Sequence, residues 1–250
     1  MKQTSKLAYS NNGSFSKTFL LGVGITNAYS KDILKYLVNF LKNGDKKLFL
    51  VTPNAEMLVL ANGDTQFKFI LNRADLALAD SVGITLGAKI MGVSLKDRVS
   101  GSTFVETLCE AVAKQPITVG FLGGRGNVAE RAAERLKQKY PELKVVFSKS
   151  FSENDKAKLP TPADILFVAL GVPKQEMFIA KYLQNLPVKA AVGVGGAFDY
   201  ISGDVVRAPK LIQKLGFEWL FRLIRQPWRL KRQLKLIEFI YLILKDKFNS

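Results

Sequence analysis

"ITVGFLGGRGNVAERAAERLKQKY", Ile117 to Tyr140, decides the fold. An apolar run ends in a cluster of glycines, and an unbroken helical pattern follows at once. A strand that is apolar on nearly every residue has both of its faces covered. A glycine turn that feeds directly into a helix is the repeating step of an α/β sheet.

The same step recurs on both sides of this stretch. Upstream, "KKLFLVTPN" is an apolar run with a turn, "AEMLVLAN" reads as a helix, and "ADLALADSVG" is a run followed by "ITLGAKIMG". Downstream, "LKVVFSKS" and "ADILFVALGVPKQE" are runs, "MFIAKYLQN" is helical, and "VKAAVGVGGAFDY" is the last clear run. The expected fold is α/β: a Rossmann-like, mostly parallel sheet with helices on both faces. Residues 1–16 read as a loose leader, 17–206 as the catalytic α/β domain, and 207–250 as a helical basic and aromatic appendage. No internal repeat or low-complexity tract interrupts this order.

Ligands of such sheets bind beyond the carboxyl ends of the strands. The residues there are Thr52-Pro53-Asn54, Asp80, Gly123 to Asn127, Gly171 to Gln175 and Gly195 to Asp199. The loop with Gly123, Gly124 and Asn127 suits a nucleotide phosphate at a helix N-terminus, or simply a tight packing turn. Its spacing is neither the dinucleotide fingerprint nor a P-loop, which removes the reason to read a nucleotide-dependent oxidoreductase. Asp80 is either a helix N-cap or a general base, and Asp199 carries the same ambiguity. Asn54 and Gln175 can bind hydroxyls or satisfy loop backbone.

Composition narrows the chemistry. The 250 residues are 48% hydrophobic, and the chain has one cysteine, Cys109, and no histidine. An intramolecular disulfide and a cysteine-rich metal site are excluded. A general base must be a carboxylate, Lys, Tyr or Cys. No Asp-x-Asp pair offers itself to a divalent metal, so arginines and helix dipoles would have to meet any diphosphate.

The net charge is +16, and eleven bases against three acids fall from Arg207 onward. Such excess attracts nucleic acid, anionic lipid or phosphorylated substrates. Within it, "GFEWLFRLIRQPWRLKRQ", Gly216 to Gln233, sets Arg222, Arg225, Arg229 and Arg232 beside Trp219, Phe221 and Trp228. A solvated basic face explains the arginines but not the aromatics. Pro227 predicts two short helices rather than one. No run is long enough for a spanning helix, and no secretory signal is visible.

"TPNAE", "ADSVG", "DRVSGSTF", "LGVPKQE", "VGGAFDYISGDVVRAPK" and the arginine-tryptophan stretch occur in that order. Together they resemble the WecG/TagA/CpsF glycosyltransferase family, glycosyltransferase family 26, from about residue 20 to about 235. The resemblance implies inverting, metal-independent transfer without a cofactor. The sugar, N-acetylmannosamine first, would pass from a UDP-sugar donor to N-acetylglucosamine on a polyprenyl (undecaprenyl) diphosphate, for a bacterial surface polymer.

The resemblance also implies roles. Asp80 becomes the base, with Thr52 and Asn54 shaping the pocket beside it. Arg98 and Gln175 line the same cleft, and Asp199 contacts the donor. Arg222, Arg229 and Arg232 reach over to the diphosphate. Tryptophans and leucines of the appendage would then sit at an anionic membrane surface, with the enzyme cytoplasmic and peripheral on the inner face of the cell membrane. The same face is also able to pair with a second subunit. Ala79, Ser81 and Phe217 depart from the family's usual residues, and the first two, beside the proposed base, leave the sugar open. The competing reading is a basic α/β protein that binds nucleic acid or anionic membrane without transferase activity; no known nucleic-acid motif supports a nucleic-acid partner.

Overall fold

The structure, a computed structural model, describes residues 15–152, 159, 161–209, 211–212, 218–227 and 230–249. Nearly all of the expected leader lies outside the described residues. So do Trp228 and Arg229, and the side chain of Arg232.

The apolar runs form one six-stranded parallel sheet: β3 (Leu48–Val51), β4 (Leu76–Ala77), β5 (Thr118–Gly123), β6 (Lys144–Lys149), β7 (Ala163–Ala169) and β8 (Val188–Gly193). Their spatial order is β4-β3-β8-β7-β5-β6. β3 steps outward to β4 and β5 steps outward to β6, while β7 and β8 fill the gap between the two halves. A crevice opens where the winding reverses, at the carboxyl ends of the central strands.

Alternate residues of each central strand enter two separate cores. Leu50, Phe121, Phe167 and Val192 face one side. There they pack under α1 (Ser30–Asn43), α5 (Gly101–Ala113), α6 (Val128–Lys139) and α8 (Ala197–Ile201). Val51, Leu122, Val168 and Ala191 face the other, under α2 (Ala55–Gly63), α3 (Thr65–Asn72), α4 (Val82–Ile90) and α7 (Lys174–Tyr182). Burial on both faces is why these strands read as unbroken apolar runs.

Beyond the short helices α3 and α8, three elements between residues 17 and 206 go unread in the sequence. One is helix α1, whose buried Ile33, Leu37 and Leu41 recur every fourth residue. Another is α5, whose apolar side is broken by small residues. The third is an antiparallel hairpin, β1 (Lys17–Leu20) with β2 (Val23–Thr26), turned at Leu21 and Gly22, both at positive φ. Leucine is an unusual choice for that turn, so its signal is weak. The hairpin lies against the short edge strand β4, where Thr26 Oγ1 accepts the backbone N–H of Ala77 at 2.9 Å.

Among the described residues, the appendage carries α9 (Glu218–Arg225) and α10 (Leu230–Asn249), with Pro227 between them. α10 packs on α2 and α4, with Phe239 and Ile243 fully buried. Gly87 of α4 makes room: a Cβ there would lie 2.7 Å from the Phe239 ring. The opposite side of α10 leaves Leu230, Leu234, Ile237, Tyr241, Leu244 and Phe248 exposed, at alternating steps of four and three. No helix among the described residues is long and apolar enough to cross a membrane.

Truncating Phe239 to alanine should leave a cavity between α10 and α4. Phe239→Ala is expected to cost about 3–5 kcal/mol of stability, read as a lowered urea midpoint. A midpoint shift near zero would mean that α10 is not seated on the core.

Candidate active site

A cavity of about 670 Å³ sits at the carboxyl edge of β3, β4, β7 and β8. Six of the residues singled out in the sequence line it: Thr52, Asn54, Asp80, Arg98, Gln175 and Arg222. They come from beyond three strand ends (β3, β4 and β7), from the loop between α4 and α5, and from the appendage. A second crevice of about 920 Å³ adjoins it through Gly171, Gly195 and Gly196, and holds Asp199 and Gly124 on its wall.

Asp80 lies three residues beyond β4, the strand that forms one edge of the sheet, and its N–H donates to the carbonyl of Pro53 at 3.0 Å. The next residue, Ser81, caps α4 by accepting the N–H of Ile84 at 3.3 Å. The cap is therefore Ser81, and the Asp80 carboxylate faces the N-terminus of α5 instead. A Cβ on Gly101 would lie 3.6 Å from Asp80 Oδ2 and 3.9 Å from Thr52 Oγ1. Ser100, Gly101 and Ser102, the first residues of α5, line the cavity. The positive end of a thirteen-residue helix favours negative charge there.

Asn54 does cap a helix: its Oδ1 accepts the N–H of Met57 at 3.0 Å while the residue lines the cavity. Thr52 is buried and donates its hydroxyl to the carbonyl of Gly193 at 2.9 Å. Gln175 is buried too, accepts the N–H of Gly195 at 3.0 Å, and donates through Nε2 to Glu176 at 2.7 Å. These three residues thus both support the loops and face the space between them.

The glycine loop after β5 divides. Gly124 reaches the second crevice, whereas Gly123 and Asn127 line neither cavity. Gly123, at φ +106°, packs so tightly that a Cβ would stand 2.6 Å from the carbonyl of Ala169. Asn127 Oδ1 accepts from the Arg131 guanidinium. Strand packing accounts for Gly123, and a helix-surface contact for Asn127.

Arg222 brings the appendage into the site. Its guanidinium lies 4.4 Å from the Tyr200 ring centroid, its Nη2 is 3.7 Å from Asp199 Oδ2, and its Nε donates to Gln226 at 3.3 Å. Nη2 is buried and makes no hydrogen bond among the described residues. A guanidinium with unmet donor capacity at a cavity wall is suited to an anionic oxygen. Arg229 and the Arg232 side chain lie outside the described residues.

Several contributors escape the sequence reading. Tyr200 carries Arg222 by a cation–π contact. Arg207 donates to Thr103 at 2.6 Å and to Ser100 at 3.2 Å, tying the start of the appendage to the cap of α5. Glu176 is fully buried, and burial pushes its carboxyl from 4.5 up to about 7, against the opposing effect of the Gln175 hydrogen bond. No motif announces such a group, because its solvation is decided by residues far away in sequence. Cys109 is buried in α5, and burial pushes its thiol upward, so it is unsuited to act as a base or nucleophile. Among the described residues no three carboxylate or thiol groups gather as a metal site.

Residues 18–250 match the Glycosyl transferase WecG/TagA/CpsF family. The chain is 33% identical over 212 residues to the N-acetylglucosaminyldiphosphoundecaprenol N-acetyl-beta-D-mannosaminyltransferase of Bacillus spizizenii (strain ATCC 23059 / NRRL B-14472 / W23), covering 82% of each chain. It is 30% identical over 213 residues to the enzyme of the same name from Bacillus subtilis (strain 168), covering 82% of this chain and 83% of that one.

Glu176 makes stability depend on pH in a calculable direction. Its folded pKa lies above its unfolded one, so protonation favours the folded state. That contribution is full below about 4.5 and is lost as pH rises through about 7. Glu176→Gln is neutral at every pH. Urea unfolding should find it about as stable as the native chain at pH 4.5, and more stable at pH 8 by up to about 3 kcal/mol. An equal offset at both pH values would show that Glu176 does not titrate in this range.

Proposed function

Because the chain belongs to the WecG/TagA/CpsF glycosyltransferase family, we propose that it transfers N-acetylmannosamine from UDP to N-acetylglucosamine carried on undecaprenyl diphosphate. The name that the two Bacillus relatives share supports the donor sugar and the lipid-linked acceptor. The observation that carries the reading is the meeting of Asp80, from the sheet's edge, and Arg222, from the appendage, on the wall of one cavity. One supplies a carboxylate and the other a guanidinium with open donor capacity.

In this mechanism Asp80 takes the proton from the acceptor sugar hydroxyl. That oxygen bonds to the donor's anomeric carbon as the bond from this carbon to the β-phosphate oxygen breaks. The sugar inverts, and UDP leaves with the bonding electron pair. Arg222 and the N-terminal end of α5 stabilise the charge that grows on the diphosphate. Arg229 and Arg232 join them on the strength of the family motif. The nucleoside takes the second crevice, where Asp199 and Gly124 lie, and Thr52, Asn54, Arg98 and Gln175 shape the sugar pocket.

Residues 207–250 act as an appendage that closes the site and rests on an anionic membrane surface, with the enzyme at the cytoplasmic face. Support comes from the exposed apolar row of α10 and from the exposed Leu220 and Ile224 of α9, set among the clustered bases. Each base near such a surface is worth about 1 kcal/mol, and the apolar row adds burial.

The decisive assay incubates the protein with UDP-N-acetylmannosamine and a lipid-diphosphate N-acetylglucosamine acceptor and measures released UDP. Asp80→Asn should lower turnover by about 10²–10⁴ while UDP affinity stays near native. Near-native turnover of this variant would remove Asp80 from the mechanism. Replacing Leu234, Ile237 and Tyr241 together by serine should weaken sedimentation with anionic liposomes and leave transfer to a water-soluble acceptor analogue intact. Unchanged sedimentation would take the α10 row out of membrane contact.

A further inference from the structure

Glu176 takes no part in the transfer described above, yet its position determines what a neighbouring side chain can offer. A glutamine amide has an oxygen on one side and an NH₂ on the other, and its partners decide which way it lies. Gln175 meets two such partners. The backbone N–H of Gly195, 3.0 Å away, can only donate, so it must face the amide oxygen. The Glu176 carboxylate, 2.7 Å away, accepts, so it must face Nε2.

Turned over, the amide would set two donors together at Gly195, and Glu176 Oε1 would lose the N–H it accepts. Packing leaves little space for any other arrangement. A Cβ on Gly193 would stand 2.8 Å from Gln175 Nε2 and 3.0 Å from Glu176 Oε1. Nε2 carries two hydrogens, and Glu176 takes one. Gln175 lines the cavity that also holds Asp80 and Arg222, so the second hydrogen is what this side chain has left for a ligand.

We propose that Glu176 is a positioning residue: it locks the Gln175 amide with its second N–H toward the cavity, so that Gln175 recognises an oxygen acceptor of the sugar-nucleotide donor. The acceptor is a sugar hydroxyl, an acetamido carbonyl or a phosphate oxygen. A carboxyl in this place is a poor choice for stability alone. It is fully buried, and its Oε2 has no hydrogen-bond partner among the described residues. A costly buried polar group directly behind a cavity wall is the pattern of a residue kept for what the site does. The assignment rests on the donor reading given above.

The test measures donor affinity by calorimetry on the full chain, with UDP-N-acetylmannosamine and with UDP. Glu176→Leu should weaken UDP-N-acetylmannosamine by about tenfold or more, since the amide loses the partner that orients it. The same change in a Gln175→Ala background should add nothing, because Glu176 acts only through Gln175. Glu176→Gln should bind within about threefold of native, its side-chain oxygen accepting the same N–H. Should the leucine variant fail to melt cooperatively, Glu176→Met takes its place in the cycle.

Weakening confined to the sugar nucleotide assigns the acceptor oxygen to the sugar, and equal weakening of UDP assigns it to the phosphates. Additive losses in the cycle, or a Glu176→Gln variant as impaired as the leucine one, overturn the proposal. UDP release in the transfer assay separates the two ideas. Transfer without coupling overturns only the role of Glu176, and coupling without transfer overturns only the transfer reading. A native chain that binds no donor overturns both.

Discussion

The end of β8 at Gly193 is where the site is sewn together. Its carbonyl accepts the Thr52 hydroxyl from the loop after β3. The space where its side chain would stand is filled by Gln175 and Glu176 from the helix after β7. Gln175 then reaches across to the N–H of Gly195 in the loop after β8. Three loops that only share a sheet edge are thereby fixed against one another through one glycine. Any side chain at residue 193 would push them apart, and the cavity floor with them. Rigid placement of this kind lets loop residues hold a substrate geometry.

The appendage depends on that arrangement from the other side. α9 sends Arg222 onto Tyr200 and Asp199, both in the short helix that follows the Gly195 loop. α10 sets Phe239 against Gly87 of α4, the helix that begins one residue after the Asp80–Ser81 pair. The basic tail is therefore part of the cavity's wall as well as of its surroundings. The pairing of arginines with large apolar residues in the appendage resolves into faces of different duty. Arg222 is turned inward, α10 has one apolar side on the core, and its other apolar side is bare.

The sheet was readable because both faces of its central strands are buried, so Phe121, Phe167 and Val192 lie in runs without polar interruption. The active edge was readable for a related reason: strand ends in such a sheet converge, and Thr52, Asp80 and Gln175 each follow a run. The hairpin was not, since Leu21 holds a turn position that glycine or asparagine would have announced. α1 was passed over although Ile33, Leu37 and Leu41 carry an ordinary helical period. What sequence could not disclose was the solvation of particular atoms. Asp80 and Asp199 look alike as strand-end or loop carboxylates, and only folding shows Ser81 taking the cap and Arg222 meeting Asp199. Glu176 reads as a surface residue of an amphipathic helix until β8 is laid over it. The glycine loop shows the same limit: Gly123 and Asn127 read as phosphate candidates in sequence, and only the fold adds that Gly123 packs against β7 and that Asn127 contacts Arg131.

The two borders of the sheet are finished differently. At β4 the outward backbone is met by the Thr26 hydroxyl under the hairpin, and the strand itself is only two residues long. At β6 the border strand begins and ends with lysines, Lys144 and Lys149. A template for strand addition needs length, flatness and neutrality, and neither border has all three. Crowding many copies onto one surface, where local concentration climbs steeply, is the circumstance in which exposed strand edges seed fibrils. With one border covered and the other charged, this fold offers such growth no ready template, however closely its copies are packed.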